Sequence, residues 1–306
     1  MTLSLASCGT RTGLIAPCII AVDPTPPAVV VISNREAGSD DELPPGFIPQ
    51  LAQVALWQRV LPMLDGVALM GGVVRPDANN GGWPCDHVAA LTVSIAPNHS
   101  AAVIADLQAR AADRRFAAVG IIDVRPTLVN AAMELRRVAA PDAARFILLT
   151  HTGFACEQPD YDVGPELAAD DLRTMVISLE RIEPSGGALW LLNGLADAGG
   201  LARPDGPIRF YDVREHDVLA QAIADTILAS YFCRGRPHTS VRAPERATLR
   251  AVGLSPSIID PDVSHRNGWD WIDDGARVEV FGDECRRIVA GRAALTIIDD
   301  EGDCLR

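Results

Sequence analysis

Six histidines, seven cysteines and not one lysine set the chemical repertoire of this 306-residue chain. All 27 basic residues are arginine, so Schiff-base amines, phosphate-loop lysines and Ser-Lys dyads are excluded. Cys85, Asp86 and His87 carry ligating atoms side by side, but three adjacent residues cannot wrap a tetrahedral ion without distant help, so no metal is assigned. Asp270, Asp273 and Asp274, and the terminal Asp299, Asp300, Glu301 and Asp303, lack the spaced ligands and central glycine of a calcium loop and read as solvated turns. Cys233, in YFCRGRP, stands beside Arg234 and Arg236, whose charge could favour a thiolate; a cysteine at the end of an apolar helix is, however, more often a packing residue. His151 closes RFILLTH. Asn193 in LWLLNG and His216 in REHD fall where an α/β unit would end a strand or begin a helix, the usual edge for a pocket. The His216 imidazole could serve as an acid or a base, and the alternative for both residues is a cap or a hydrogen-bonded loop side chain.

The elements that must position these residues follow from hydrophobic period. Continuous apolar runs at Cys18 to Val22, Ala28 to Ser33, Gly66 to Gly71, Val88 to Ile95, Ala117 to Ile122, Arg145 to Thr150 and Ala188 to Leu192 predict strands buried on both faces. Helical spacing at Ile48 to Leu64, Ser100 to Arg114, Thr127 to Val138, Leu167 to Arg181 and His216 to Phe232 alternates with them, which predicts an α/β fold with a largely parallel sheet. In the helix from Ser100, Ala101, Ile104, Ala105, Leu107 and Ala111 form the expected apolar face. From Ser255 onward, Asp- and Gly-rich turns separate strand candidates at Arg277 to Phe281 and Ala293 to Ile298, a small β appendage.

The net charge of −13 argues against nucleic acid and against anionic membranes as partners, since both need clustered cations. The apolar start has no cationic leader, Arg11 interrupts it, and no run reaches bilayer length. Seven cysteines without a CxxC pair fit a reduced setting, so the expected location is cytoplasmic.

The order of these segments resembles the thiolase fold, in its β-ketoacyl synthase-like branch. Five stretches carry the resemblance: ASCGTRTGLIAP, HVAALTVSIAPNHSAAVIADLQARAADRRFAAVGIID, APDAARFILLTHTGFA, DLRTMVISLERIEPSGGALWLLNG and REHDVLAQAIADTILASYFCRGRP, which together span residues 5 to 237. The resemblance implies two duplicated α/β halves, 1–157 and 158–254, around a buried helix that starts at Ser100, with 255–306 as the β-rich tail. It also implies a nucleophile turn at Ile95 to His99, where the family places cysteine and this chain has none. By position, Asn98 or His99 fills that slot, Asn98 is the expected substrate contact, and Asn193 and His216 fall near the family's two thioester-polarising residues. No cofactor is implied. The resemblance implies an acyl carrier protein or CoA thioester as partner, and a homodimer or a heterodimer with a related chain, paired along the edge strand near Leu91 to Ile95.

Three readings follow. The first is a non-catalytic acyl-thioester-binding or assembly subunit of the β-ketoacyl synthase-like kind. The second is a live decarboxylase or acyltransferase using His216, Asn193 and His99. The third is a degenerate caspase-like protein built on the strands ending at His151 and Asn193, for which one six-stranded sheet is the expected architecture.

Overall fold

A computed structural model describes residues 19–20, 22–34, 49–75, 90–112, 125–151, 172–179, 187–235, 248–253, 257–262, 264, 268–273, 277–290 and 293–298. The chain enters through β1 (Ile19–Ile20) and β2 (Val22–Thr25), then builds β3 (Ala28–Asn34), α1 (Pro49–Leu64), β4 (Leu69–Arg75), β5 (Val93–Pro97), α2 (Ser100–Ala112) and α3 (Arg125–Val138). It continues with β6 (Arg145–His151), β7 (Leu172–Ser178), α4 (Gly187–Ala198), β8 (Tyr211–Asp212) and α5 (His216–Leu228). The remainder is β9 (Phe232–Gly235), β10 (Thr248–Gly253), β11 (Ser257–Ile259), β12 (Gly268–Ile272), β13 (Arg277–Phe281), α6 (Gly282–Val289) and β14 (Ala293–Ile298).

Six strands form one sheet in the order β5-β4-β3-β6-β7-β8, all parallel except the edge strand β5, which runs antiparallel to β4. The apolar runs are continuous because both faces are covered. Val30, Ile32, Ile147, Leu149 and Val176 pack on one face beneath α3 and α4, which bring Leu128, Ala131, Leu135, Leu192 and Leu195. Val29, Val31, Phe146, Leu148 and Ile177 pack on the other beneath α1, α2 and α5. In α1, Pro49 opens the first turn, where a missing N–H costs nothing. Its buried Leu56, Trp57, Val60, Leu61 and Leu64 repeat at helical spacing.

The α/β class holds, while the duplicated thiolase-like halves do not. β6 and β7 are hydrogen-bonded neighbours over their whole lengths, so the expected boundary between 157 and 158 falls inside one sheet. The helix from Ser100 is not a buried centre. Among its described side chains, Ser100, Val103 and Leu107 are buried while Ala101, Ala102 and Ala105 are exposed, and α2 covers the outer face of β4 beside α1. Two elements also exchange type. Leu167 to Arg181, expected as a helix, contains β7, in which Thr174, Val176 and Ile177 are β-branched and fully buried. Ala188 to Leu192, expected as a strand, belongs to α4, where the apolar spacing continues through Leu195 and Ala196. Gly199, just past α4, sits so close to β7 that an added Cβ would lie 2.4 Å from the Thr174 carbonyl oxygen. The strand expected at Ala117 to Ile122 lies outside the described residues.

The second unit is β-rich and draws on both ends of the chain. One sheet has the order β1-β14-β10-β11 and the other β12-β13-β9-β2, and residues of both share a core with α6: Ile20, Leu295, Cys233, Val280, Cys285 and Ile288. The expected tail strands at 277–281 and 293–298 are present, but β1, β2, β9 and β10 join them, so this unit is larger than 255–306. β2 and β9 pair antiparallel, with Thr25 opposite Phe232, and the whole six-stranded unit is inserted between them.

Cys233 and Cys285 form a disulfide between β9 and α6. The expectation of unpaired thiols therefore fails at Cys233, which serves neither as a nucleophile nor as a free packing cysteine. Among the described residues, no helix is long and apolar enough to cross a membrane.

Candidate functional site

In an open doubly wound sheet, ligands bind beyond the carboxyl ends of the strands where the winding reverses. Here that point lies between β3 and β6: the chain adds β4 and β5 on one side of β3, then returns to place β6 on the other. The strand ends at this point are polar. Ser33 pairs in register with Thr150, and His151 with Ser178, and all four side chains are buried.

The two faces differ. On the α1 face, the Gln53 amide donates one hydrogen bond to Ser33 Oγ at 2.7 Å and a second to Thr150 Oγ1, while Thr150 Oγ1 donates to the Ile32 carbonyl at 3.3 Å. Both amide hydrogens of Gln53 are thereby consumed, and the three side chains close over the end of the sheet. On the opposite face lie His151, fully buried, and Ser178. Replacing Gln53 by leucine removes the donor that joins Ser33 to Thr150 and is expected to destabilise the protein by about 1–3 kcal/mol. Urea denaturation of Gln53→Leu reads this directly, and an unchanged midpoint would count against a structural bridge.

The residues expected to act on a thioester stand apart. β5 and β8 are opposite edges of the sheet, separated by five strand spacings of about 4.8 Å, or about 24 Å. His99 follows β5 at the amino end of β4, its Nδ1 2.8 Å from the Ser94 carbonyl oxygen, and His216 opens α5 just beyond β8. The neighbouring Asn98 is exposed with φ 57, a left-handed turn that asparagine tolerates well. Asn193 lies in α4, on the face opposite α5, and is committed to structure. Its Nδ2 donates to the Pro207 carbonyl at 2.8 Å, and its Oδ1 accepts from Arg209 N at 2.7 Å, holding the segment after α4 against that helix. His216 Nε2 lies 3.6 Å from Asp217 Oδ1, and its Nδ1 is buried without a hydrogen-bond partner. Asn98, His99, Asn193 and His216 thus form no common site, because the single sheet puts them on different edges and faces.

The caspase-like alternative meets its expected six strands, but Asn193 does not end one of them, since it sits within a helix. The trio at Cys85 to His87 lies outside the described residues. Asp273 is ion-paired with Arg277, and among the described residues no group of three or more His, Cys, Asp or Glu side chains is placed to hold a metal.

No family model matches the chain, and no curated protein matches it. Among solved structures, it is similar to an aerotolerance-related membrane protein from Bacteroides fragilis, at 11% identity and a TM-score of 0.47 over 66% of this chain and 98% of that one. It is also similar to the pilus adhesin SpaC from Lactobacillus rhamnosus GG, at 11% identity and a TM-score of 0.46 over 88% of this chain and 38% of that one. A third similarity is to the conserved hypothetical protein BatB from Bacteroides thetaiotaomicron, at 12% identity and a TM-score of 0.42 over 65% of this chain and 97% of that one. Likeness at this level transfers no role to any residue.

Sequence reasoning reached His151 but missed Ser33, Gln53 and Thr150. Ser33 and Thr150 were legible as the first polar residues after AVVVI and FILL, which is where a buried parallel strand reaches its carboxyl end. Gln53 had a weaker signal, as one amide on the apolar side of an otherwise hydrophobic helix.

Proposed function

We propose that the protein is a non-catalytic binding or assembly module that engages a cationic partner at the carboxyl edge of its six-stranded sheet. The observation that carries this reading is the separation of His99, Asn193 and His216, which keeps these three from meeting around one reacting carbonyl. The partner's sign follows from charge placement. Two connections both leave and rejoin the fold at the carboxyl edge, residues 35–48 between β3 and α1 and residues 76–92 between β4 and the antiparallel β5. In sequence they hold six carboxylates and one arginine, a net of −5 out of −13 for the whole chain. Charge collected at one edge attracts an oppositely charged surface and speeds encounter.

Carbodiimide coupling tests this reading. It joins carboxylates to amines, and a chain without lysine cannot cross-link to itself through side chains. With a lysine-bearing basic peptide as probe, adducts are expected to concentrate on residues 35–48 and 76–92, and coupling should fall as salt is raised. Adducts spread in proportion over all 40 acidic residues would sink the reading. A second arm offers malonyl and acetoacetyl thioesters: no turnover is expected, and turnover lost in His216→Ala would restore the enzymatic alternative. The location is part of the same proposal: the Cys233–Cys285 disulfide favours an oxidising compartment over the reducing cytoplasm.

A further inference from the structure

The amino edge of the sheet, opposite the switch point, carries a cavity of about 710 Å³ between the two units. That is within the range of small-molecule sites, about 300–1,000 Å³. Its wall brings together the start of β6 and β7, the end of α5, and strands β9 and β13.

The cavity lining carries charge of both signs. Arg234 is shared by two carboxylates, ion-paired with Asp142 and donating from Nε to Glu279 Oε1 at 2.8 Å. Within the lining that corner has two carboxylates to one guanidinium, and the Arg145 guanidinium donates to the Ala140 and Pro141 carbonyls beside Asp142. The last carbonyls of α5, whose following residues Ala229 and Ser230 line the cavity, add partial negative charge from the helix end. Hydroxyl polarity agrees with this. Thr226 donates to the Ala222 carbonyl at 2.8 Å, Ser230 to the Thr226 carbonyl at 3.4 Å, and Ser264 to Asp262. With their protons committed, these oxygens face a ligand as acceptors. Arg173 is the other cation of the lining: it is exposed, its guanidinium lies 6.0 Å from the Phe146 ring centroid, and among the described residues it has no carboxylate partner. Phe281 and Phe232 supply apolar lining, the Phe232 ring centroid 4.8 Å from the Arg234 guanidinium carbon.

From this arrangement we infer that the cavity binds a small zwitterion with an apolar side chain, a free amino acid or a short peptide, its carboxylate on Arg173 and its ammonium toward the Asp142, Glu279 and hydroxyl side. A guanidinium takes a carboxylate through two parallel hydrogen bonds, which a lysine there could not do. The inference concerns the amino edge and stands or falls separately from the reading of the carboxyl edge.

Isothermal titration of the full chain with L-phenylalanine and with the dipeptide Phe-Phe tests it and distinguishes the two ligand sizes. Saturable binding of at least one is expected. Phenethylamine, which lacks the carboxylate, and 3-phenylpropionate, which lacks the ammonium, should each bind about ten- to a hundredfold more weakly, the span of a lost hydrogen bond to a charged group. Arg173→Gln should bring the zwitterion down to the level of phenethylamine, with Arg173→Lys intermediate. Because Arg173 is exposed, an unchanged melting curve for both variants is expected and separates lost binding from lost folding. The inference is overturned by the absence of saturable binding of both zwitterions, by 3-phenylpropionate binding as tightly as they do, or by an Arg173→Gln protein that binds them unchanged.

Discussion

Phe146→Ala is expected to destabilise the α/β unit by about 3–5 kcal/mol, the range for removing a fully buried phenylalanine. Phe146 lies on β6, the strand flanked on both sides by full-length parallel partners β3 and β7, and its exposure is 0%. Its ring packs into the core formed with α1 and α5, the group that includes Trp57, Leu61, Ile223 and Ile227. Neighbouring strands cannot collapse into the vacated space without breaking register with β3 or β7, so most of the cavity should persist, which places the cost at the upper part of the range. Chemical denaturation with far-ultraviolet circular dichroism measures it as a lower midpoint at unchanged slope. A shift of less than about 1 kcal/mol would mean that β6 is not central.

The second large effect belongs to the β unit. The Cys233–Cys285 disulfide has a Cα–Cα distance of 5.6 Å and closes a loop between residues 52 apart in sequence. Chain-entropy arguments assign such a loop about 4 kcal/mol, while measured values for removal run at about 2–5 kcal/mol. The bond ties β9 to α6, and both cysteines lie in the core shared by the two small sheets. Its loss should therefore lower the β unit's transition and leave the six-stranded unit nearly unaffected. Melting the oxidised protein, the dithiothreitol-treated protein and the Cys233→Ala, Cys285→Ala double variant checks this. The two treatments should agree, and a melting curve indifferent to both would show that the cross-link carries no stability.

The elements that were legible from sequence share one property: their period is unambiguous over their full length. α1, α2, α3 and α5 repeat apolar residues at helical spacing for three or more turns, and β3 and β6 are short β-branched or aliphatic runs closed by polar residues. The two exchanges occurred where an apolar run of four to seven residues fits either period. LRTMVIS has four apolar side chains that a helix could also gather on one side, and its β-branched Thr174, Val176 and Ile177 were the better guide. ALWLL looks like a buried strand until Leu195 and Ala196 extend its spacing. The site was less legible because it is made by register and topology. Nothing local in the sequence places Thr150 beside Ser33, more than a hundred residues away, and nothing local tells that Asn193 points its amide at Pro207. The resemblance to a duplicated fold failed for the same reason. Up to β6 the described elements kept their expected types, but β7 and α4 exchanged theirs, and strand pairing, which decides between one sheet and two halves, is a long-range property.

The insertion of the six-stranded unit between β2 and β9 has a mechanical consequence. Thr25 and Phe232 are partners across a ladder, so the polypeptide goes out to that unit and comes back at almost the same point. β1 and β14 are likewise partners, with Ile19 opposite Thr296. A tensile load applied through these two strands therefore has a short route across the β unit and bypasses the inserted one. The ladder would peel from its end, opening pair by pair at low force, while the larger unit hangs to one side unstretched.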